Sequence, residues 1–332
     1  MSVKPLRIVF MGTPEFAVSS LEAIHAHSPH QVVGIVTVPD KPSGRGQLLT
    51  PSAVKKYATE HQLPVLQPEK LKNPDFLQQL ARWKADIFVV VAFRMLPADV
   101  WKMPPLKTIN LHGSLLPQYR GAAPINHVIM NGEQETGVTT FFIDETIDAG
   151  KILFSEKINI GNDEDAGSLH DRMKIVGAEL VVKTLNAIAQ DEINPLPQEQ
   201  FILPQERPLK PAPKIHSADC VIEWHGAAND ILNKIRGLSP YPAAFTHLKH
   251  ENGTLRTLKI YKAKIADKDF SENTAGTIML SDNKKQCFIA AKNAWIELLE
   301  VQIDGKKRMN TADFMRGFDI ASFSIASPLC RS

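Results

Sequence analysis

Two side chains suited to acyl chemistry, Asn110 and His112, lie two residues apart at the end of a short apolar run. Residues with this spacing on an extended strand point to the same face, so the amide and the imidazole leave the chain together. An amide N–H can stabilise a developing oxyanion while an imidazole transfers a proton. The pair therefore indicates acyl chemistry, with the alternative that both side chains satisfy the backbone of a loop.

A carboxylate is predicted to complete this group. An acidic stretch, residues 144–148, follows a predicted strand at residues 138–143. If that strand lies beside the one that carries His112, Asp148 faces the imidazole, fixes its orientation and raises its pKa. The alternative is a solvated acidic turn. Three such side chains at consecutive strand ends predict a catalytic set better than any one of them alone.

A third candidate is a long loop, residues 39–51, which is bounded by prolines and centred on Gly44-Arg45-Gly46. Loops of this length usually carry a function. An arginine between glycines can approach a phosphate closely and bind it with two hydrogen bonds. Arg45 is therefore a candidate phosphate ligand, with a flexible surface loop as the alternative.

The elements that position these side chains alternate between strand and helix. Apolar runs typical of buried strands lie at residues 6–11, 32–38, 87–92, 108–111 and 138–143. Helices are predicted from residue 14 to about residue 27 and at residues 52–62, 70–82 and 165–190. This alternation predicts an α/β fold with a Rossmann-like, mostly parallel sheet, which binds ligands at the carboxyl edge of its strands. The turn at Gly12 lacks the G-x-G-x-x-G pattern, so it does not predict a dinucleotide.

The last third of the chain has a different pattern. Residues 257–265, 287–291 and 294–303 are rich in β-forming residues and predict the antiparallel strands of a small, OB-like β-barrel. Residues 194–213 contain six prolines, a density that prevents a continuous helix. We therefore predict a first domain at 1–194, a proline-rich linker at 195–210 and a second domain at 211–332.

The formal charge is small in total but unevenly divided. The 332 residues include 38 Lys and Arg against 36 Asp and Glu, a net charge of +2, which excludes a uniformly basic nucleic-acid-binding protein. Residues 1–206 have a net charge of −4 and residues 207–332 of +6. The second domain can therefore bind a polyanion.

The cysteines and the apolar runs bear on the compartment. Cys220, Cys287 and Cys330 are widely spaced and predict neither a disulfide framework nor a metal site. No signal peptide is expected at the N-terminus, and no apolar run is long enough to span a membrane. These features predict a cytoplasmic protein.

The motifs resemble those of a known enzyme family. HGSLLPQYRGAAPIN at residues 112–126, with Asn110 before it and Asp148-Ala149-Gly150 after it, is similar to the formyltransferases that use 10-formyltetrahydrofolate. FMGTPEFAV near the N-terminus, PDKPSGRG in the long loop and IRGLSPYPAA in the second domain are similar to the members that act on methionyl-tRNA. The resemblance covers nearly the whole chain, in matching order.

The resemblance implies an activity and three catalytic residues. The enzyme would transfer the formyl group of 10-formyltetrahydrofolate to the amino group of methionyl initiator tRNA, which gives N-formylmethionyl-tRNA for translation initiation. The catalytic Asn, His and Asp of the family correspond to Asn110, His112 and Asp148. In this scheme Asn110 and a protonated His112 stabilise the oxyanion, and Asp148 holds the imidazolium.

The resemblance also implies where the two substrates bind. The folate-contacting stretch of the family corresponds to Ser114, Leu115, Leu116 and Pro117, and Arg45 lies in the loop that meets the tRNA acceptor stem. The C-terminal barrel would help to bind the tRNA. No metal is implied, and a monomer is expected.

One segment departs from the family pattern. The family commonly has A-Y-G-x-x-L-P in a loop that lines the pterin pocket. Residues 92–97 read AFRMLP here, one residue shorter and with Arg94 where glycine is usual. Two possibilities remain open for Arg94, contact with the folate and exposure to solvent.

Three alternative functions are weighed against this one. Formyl transfer to an amino sugar nucleotide or another small amine needs neither the basic second domain nor the Gly-Arg-Gly loop. Hydrolysis of the formyl donor would release formate without any acceptor. A non-catalytic tRNA- or folate-binding module would have no use for an intact Asn110, His112 and Asp148.

Overall fold

A computed structural model describes residues 4–43, 48–201, 208–270 and 273–326. The chain forms two compact units. The first comprises Met1–Gly121, Glu135–Asn159 and His170–Pro211, and the second comprises Ala122–Gln134, Ile160–Leu169 and Ala212–Ser332. These units differ from the predicted domains 1–194 and 211–332 because two stretches from the middle of the chain belong to the second unit. Of the predicted linker 195–210, residues 202–207 lie outside the described residues.

The chain alternates between strands and helices. The strands are β1 (Arg7–Gly12), β2 (Gln31–Val36), β3 (Lys41–Ser43), β4 (Leu48–Thr50), β5 (Val65–Leu66), β6 (Ile87–Val91), β7 (Thr108–His112), β8 (Glu135–Phe142), β9 (Ile152–Asn159), β10 (Ala244–His250), β11 (Leu255–Ile265), β12 (Ile278–Leu280), β13 (Cys287–Ala290), β14 (Trp295–Ile303), β15 (Met309–Asn310) and β16 (Phe323–Ile325). The helices are α1 (Glu15–His27), α2 (Ala53–Glu60), α3 (Pro74–Arg82), α4 (Ala98–Trp101), α5 (Pro124–Met130), α6 (Ala166–Ala189), α7 (Ala228–Leu238) and α8 (Thr311–Gly317). None of the described helices has the length and apolar composition needed to cross a membrane.

The first unit is built on one mixed sheet with the strand order β5-β2-β1-β6-β7-β8-β9. Its first five strands are parallel, whereas β8 and β9 are antiparallel to their neighbours. The central strands are apolar on both faces, and every residue of β6 is buried, as expected where helices cover both sides of a parallel sheet. This confirms the predicted α/β fold with a mostly parallel, Rossmann-like sheet.

The second unit contains an antiparallel sheet with the strand order β12-β13-β14-β11-β10-β16, and β15 pairs with β14. The sheet curves until its edges nearly meet, since a Cβ placed on Gly276, just before β12, would lie 3.6 Å from Cβ of Ile325 on β16. Its interior is filled by fully buried aliphatic side chains such as Leu258, Ile289 and Ile296. This nearly closed sheet confirms the predicted C-terminal barrel.

Contacts between α5 and α7 explain why the second unit includes a stretch from the middle of the chain. The side-chain amide of Asn126 donates to the carbonyl of Gly237 at 2.7 Å. A Cβ on Gly237 would lie 2.5 Å from Cγ of Met130, so glycine allows the two helices to approach closely. Helix α5 therefore packs with α7 although it directly follows the HGSLLPQYRG segment of the first unit.

Candidate active site

The carboxyl end of β7 carries Asn110 and His112. β7 pairs in parallel with β6 and antiparallel with β8, so Asn110 lies opposite Val90 on one side and Phe141 on the other. The Asn110 side chain is half-buried and makes no hydrogen bond to any residue that the structure describes. Its amide is therefore available to a bound molecule.

The His112 imidazole is buried and fixed in one orientation. Its Nε2 lies 2.9 Å from the carbonyl oxygen of Tyr119, and since a carbonyl only accepts, Nε2 carries the proton of this hydrogen bond. Its Nδ1 faces Oδ2 of Asp148 at 3.7 Å, which is too long for a hydrogen bond. In the neutral ring, Nδ1 therefore has its lone pair free for an incoming proton.

Burial lowers the pKa of His112 from its usual value of 6.5, because a buried site disfavours the charged ring. The carboxylate of Asp148 and the hydrogen bond to Tyr119 raise the pKa, but they do not offset this burial, and Arg120 adds to the lowering. Asp148 thus raises the pKa as expected from the sequence, but burial outweighs it, and the net lowering favours the neutral ring before the substrates bind.

Asp148 lies in the loop that follows β8, and close packing fixes this loop. Its Oδ2 accepts a hydrogen bond from the backbone nitrogen of Gly121 at 2.9 Å. Its own φ of 52° is in the left-handed region, which aspartate tolerates better than most residues. Two residues later, a Cβ on Gly150 would lie 1.7 Å from the carbonyl oxygen of Phe142, so only glycine fits there.

Three consecutive residues, Tyr119, Arg120 and Gly121, each hold a different part of the site. The Tyr119 carbonyl accepts from His112, and the Gly121 nitrogen donates to Asp148. Between them, the guanidinium of Arg120 donates to the side chain of Gln198. This tripeptide therefore sets the separation of the imidazole and the carboxylate.

The predicted folate-contacting residues are mostly occupied by contacts within the protein. The Ser114 hydroxyl donates to the Gln118 carbonyl at 2.6 Å, and Leu116 is buried against Phe141 and Ile152. Pro117 is also buried, and a Cβ on Gly137 would lie 2.5 Å from Cδ2 of Leu115, which is half-buried. The side chains of this stretch thus anchor the loop.

The hydroxyl of Thr139 on β8 fixes the same stretch and was not predicted from the sequence. It donates to the carbonyl of Ser114 at 2.7 Å and accepts from the backbone nitrogen of Leu116 at 3.2 Å. Gln198 and Lys210 were also not predicted from the sequence. The backbone carbonyl of Lys210 accepts a hydrogen bond from the backbone nitrogen of Tyr119 at 2.8 Å. Their positions in the sequence, far from the motif, carry no local signal of this role.

The shortened loop after β6 borders an open hollow of about 470 Å³, which is lined by Leu71, Lys72 and residues 94–99. Arg94 is half-buried, lines this hollow and is hydrogen-bonded to neighbouring backbone carbonyls. Its guanidinium donates to the carbonyl of Glu69 at 2.8 Å and to that of Pro68, and it lies 5.6 Å from the centre of the Phe93 ring. Burial also lowers the pKa of Arg94. The arginine therefore ties this loop to the segment before α3.

The predicted phosphate ligand Arg45 lies outside the described residues, as do its neighbours from Gly44 to Gln47. On either side of them, β3 and β4 pair antiparallel, with Lys41 opposite Thr50. Over the described ranges, no group of three or more His, Cys, Asp or Glu side chains is arranged to hold a metal ion.

Two family models match the chain, "Formyl transferase" at residues 6–185 and "Formyl transferase, C-terminal domain" at residues 214–319. The methionyl-tRNA formyltransferase of Parabacteroides distasonis is 47% identical over 98% of this chain and 100% of that protein. That of Azobacteroides pseudotrichonymphae is 49% identical over 96% of this chain and 97% of that protein. The chain belongs to the methionyl-tRNA formyltransferase family.

Solved structures show the same fold outside the methionyl-tRNA formyltransferase family. WlaRD, described as a sugar 3N-formyl transferase, is 20% identical, covers 92% of this chain and 100% of its own, and has a TM-score of 0.61. HypX from Aquifex aeolicus, solved with tetrahydrofolic acid, is 17% identical over 94% of this chain and 47% of its own, with a TM-score of 0.59. Both units of the fold are thus shared beyond the methionyl-tRNA formyltransferases.

Proposed function

We propose that this protein transfers the formyl group of 10-formyltetrahydrofolate to the amino group of methionyl initiator tRNA and so produces N-formylmethionyl-tRNA for translation initiation. The observation that carries the proposal is the placement of His112, Asp148 and the free amide of Asn110 at one sheet edge in a chain of this family. The proposal assigns the catalytic work to these three residues.

The reaction moves one proton from the attacking amine to the nitrogen that loses the formyl group. A neutral His112 can accept this proton at Nδ1, because Nε2 is already donating to Tyr119. The positive charge that then forms on the ring is stabilised by the carboxylate of Asp148 at 3.7 Å. The lowered pKa of His112 thus favours a ring that takes up a proton during transfer rather than one already charged beforehand.

We assign to Asn110 the stabilisation of the oxyanion. Attack on the formyl carbon converts a carbonyl oxygen into a negatively charged oxygen, which needs a hydrogen-bond donor that is already in place. The Asn110 amide is half-buried at the end of β7, with no competing partner among the described residues. It can therefore donate without first giving up another hydrogen bond.

For the folate we propose the loop between β6 and α4 and the stretch from Ser114 to Pro117. Both follow neighbouring parallel strands, which places them at the same edge of the sheet. The hollow beside Leu96 and Pro97 has a volume within the usual range for small-molecule sites, and Leu71 adds an apolar wall. The bound donor supplies the formyl group, and these residues hold and orient it.

For the tRNA we propose Arg45 and exposed lysines of the second unit. The lysines differ in whether they are already paired. Nζ of Lys264 lies 3.2 Å from Oε2 of Glu297. The guanidinium of Arg308 donates to both carboxylate oxygens of Glu300. Exposed lysines of the second unit that have no ion pair among the described residues include Lys262, Lys284, Lys285, Lys306 and Lys307. We therefore place phosphate contacts on these five.

We also propose a compartment and an oligomeric state. Cys220 and Cys287 are buried free thiols, which is usual in a reducing compartment, and we propose the cytoplasm. We also propose that the protein acts as a monomer, which sedimentation in the presence and absence of tRNA would test.

The deciding experiment is formyl incorporation from 10-formyltetrahydrofolate into methionyl initiator tRNA, with methionyl elongator tRNA as the matched acceptor. We expect formylation of the initiator tRNA and weaker transfer to the elongator tRNA. Transfer to an amino sugar nucleotide but not to tRNA would contradict the proposal, as would release of free formate without an acceptor. Binding of the initiator tRNA should weaken steeply with salt, since each phosphate contact releases counterions.

A further inference from the structure

Gln198 is fully buried beside the proposed active site, and its side chain forms four hydrogen bonds. Its Oε1 accepts from Nε and Nη2 of Arg120, at 3.0 and 2.5 Å. Its Nε2 donates to the carbonyls of Asp148 and Gly150, at 2.8 and 2.9 Å. These bonds use both donors and both acceptor sites of the amide. One side chain therefore joins the loop before α5 to the loop after β8.

The proline-rich segment delivers this side chain to the site. Leu196 pairs with Ile152 at the start of β9 through two backbone hydrogen bonds of 2.9 Å each. This bridge extends the edge of the sheet by one residue pair. Two residues later Gln198 begins a short 3-10 helix, Gln198–Phe201, and points inward. The segment thus does more than connect two domains, because its backbone is tied to the sheet and its glutamine is tied to the Asp148 loop.

We propose that Gln198 is a positioning residue for formyl transfer, which holds the backbone of Asp148 so that the carboxylate faces Nδ1 of His112. This inference rests on the proposed function for its activity readout. Two hydrogen bonds hold Asp148 in this position. The Asp148 carboxylate is held by the Gly121 nitrogen, while the Asp148 backbone, at a φ of 52°, is held by Gln198. Releasing either anchor lets the loop move away from the imidazole.

The test compares three variants of the full-length protein. Gln198→Met keeps the length and shape of the side chain but removes all four hydrogen bonds. Gln198→Glu keeps the acceptor for Arg120 and removes the two N–H donors to the Asp148 loop. Gln200→Met is the matched control, because Gln200 is exposed on the same short helix. Melting temperature, the KM for both substrates, kcat and the pKa of the His112 ring are measured for each.

We expect Gln198→Met and Gln198→Glu to lower kcat by about tenfold or more, since small displacements of reacting groups cost large factors in rate. The KM values should stay within about twofold of the wild type, because Gln198 is fully buried and its amide is fully used within the protein. In Gln198→Met, the His112 titration, assigned in NMR spectra by its loss in His112→Asn, should move to lower pH. A carboxylate further from the ring raises its pKa less. Gln200→Met should match the wild type in all four quantities.

Several outcomes would overturn the proposal. A Gln198→Glu variant with wild-type kcat would show that pairing with Arg120, and not the hold on the Asp148 loop, is what matters. An unchanged His112 titration in folded Gln198→Met would show that Asp148 does not depend on this anchor. If Gln198→Met does not fold, Gln198→Glu decides the question through kcat. If the wild type transfers no formyl group, the proposed function fails, whereas the His112 titration still tests the placement of Asp148.

Discussion

His112 and Asp148 face each other at 3.7 Å between Nδ1 and Oδ2, close enough for the carboxylate to attract an imidazolium but too far for a hydrogen bond. The carboxylate is thus more useful after the ring has gained a proton than before. The other ring nitrogen is held by the Tyr119 carbonyl, so the ring cannot turn to bring Nε2 toward Asp148 without losing that bond.

The first prediction concerns the charge of Asp148. Asp148→Asn keeps an oxygen for the Gly121 nitrogen but removes the charge that stabilises the imidazolium. We expect kcat to fall by about a hundredfold, within the usual range for acid–base groups. The acid limb of the kcat–pH profile should move to lower pH because His112 loses a group that raises its pKa. The control is Glu145→Gln, because Glu145 is exposed on the same loop. An equal loss of kcat in this variant would show that the effect is not specific to the charge of Asp148.

The second prediction concerns Gly150. Gly150→Ala places a Cβ 1.7 Å from the Phe142 carbonyl, a contact that only a backbone shift can relieve. We expect a loss of about 3 kcal/mol or more in the free energy of unfolding, at the upper end for overpacking, and a fall in kcat as Asp148 moves with the loop. Urea unfolding and steady-state kinetics measure the two. Gly317→Ala meets no atom within 4 Å and should leave both nearly unchanged. Equal behaviour of the two variants would contradict the steric argument.

The third prediction concerns acid stability and His30. This buried ring accepts a hydrogen bond from the Leu6 nitrogen at Nδ1, and burial lowers its pKa, while the side chain of Asn186 raises it by a smaller amount. Between the lowered native pKa and about 6.5, the unfolded chain binds more protons than the native protein. The free energy of unfolding therefore falls as the pH drops through this window.

His30→Gln removes the ionisable group, so its stability should depend less on pH than that of the wild type between about pH 7 and about pH 5. Urea titrations at several pH values measure the slope. His27→Gln changes an exposed histidine near the end of α1 and should retain the wild-type slope. A His30→Gln slope equal to that of the wild type would mean that other groups cause the acid sensitivity.

The fourth prediction concerns Arg94. Arg94→Ala breaks the hydrogen bonds to the carbonyls of Pro68 and Glu69 and should cost about 1–2 kcal/mol of stability. We also expect a higher KM for the folate, with kcat less affected, because the loop borders the proposed folate site. Arg94→Lys should restore little, since an ammonium lacks the planar fork that reaches two carbonyls. Arg82→Ala, on an exposed face of α3, is the control. A wild-type folate KM in Arg94→Ala would show that this loop takes no part in folate binding.

Much of the first unit could be predicted from the sequence because its strands are buried on both faces. Continuous apolar runs such as residues 87–91 mark such strands plainly, and the alternation with helices gives the parallel order. β9 was missed because its middle residues, Ser155, Glu156 and Lys157, lack an apolar pattern, and at the edge of the sheet such residues remain exposed. The antiparallel pairing of β8 with β9 could not be predicted without it.

The candidate site, too, could be predicted from the sequence only in part. Asn110, His112 and Asp148 stand out because their chemistry and spacing are local. The protonation state of His112 could not be predicted, since it depends on whether burial or the carboxylate dominates, and burial is a property of the folded protein. Gln198 could not be predicted either, because it lies 50 residues from the Asp148 carbonyl that it binds.

The anchoring of Leu196 and Gln198 bears on how this protein can be divided for study. A fragment that stops at the end of α6, at Ala189, has every strand of the first sheet and all three proposed catalytic side chains. It lacks the bridge to Ile152, the amide that holds the Asp148 loop and the Lys210 carbonyl that binds Tyr119. A shortened chain that is meant to keep the active site should therefore extend at least to Pro211, because the stretch after α6 holds residues of that site in place.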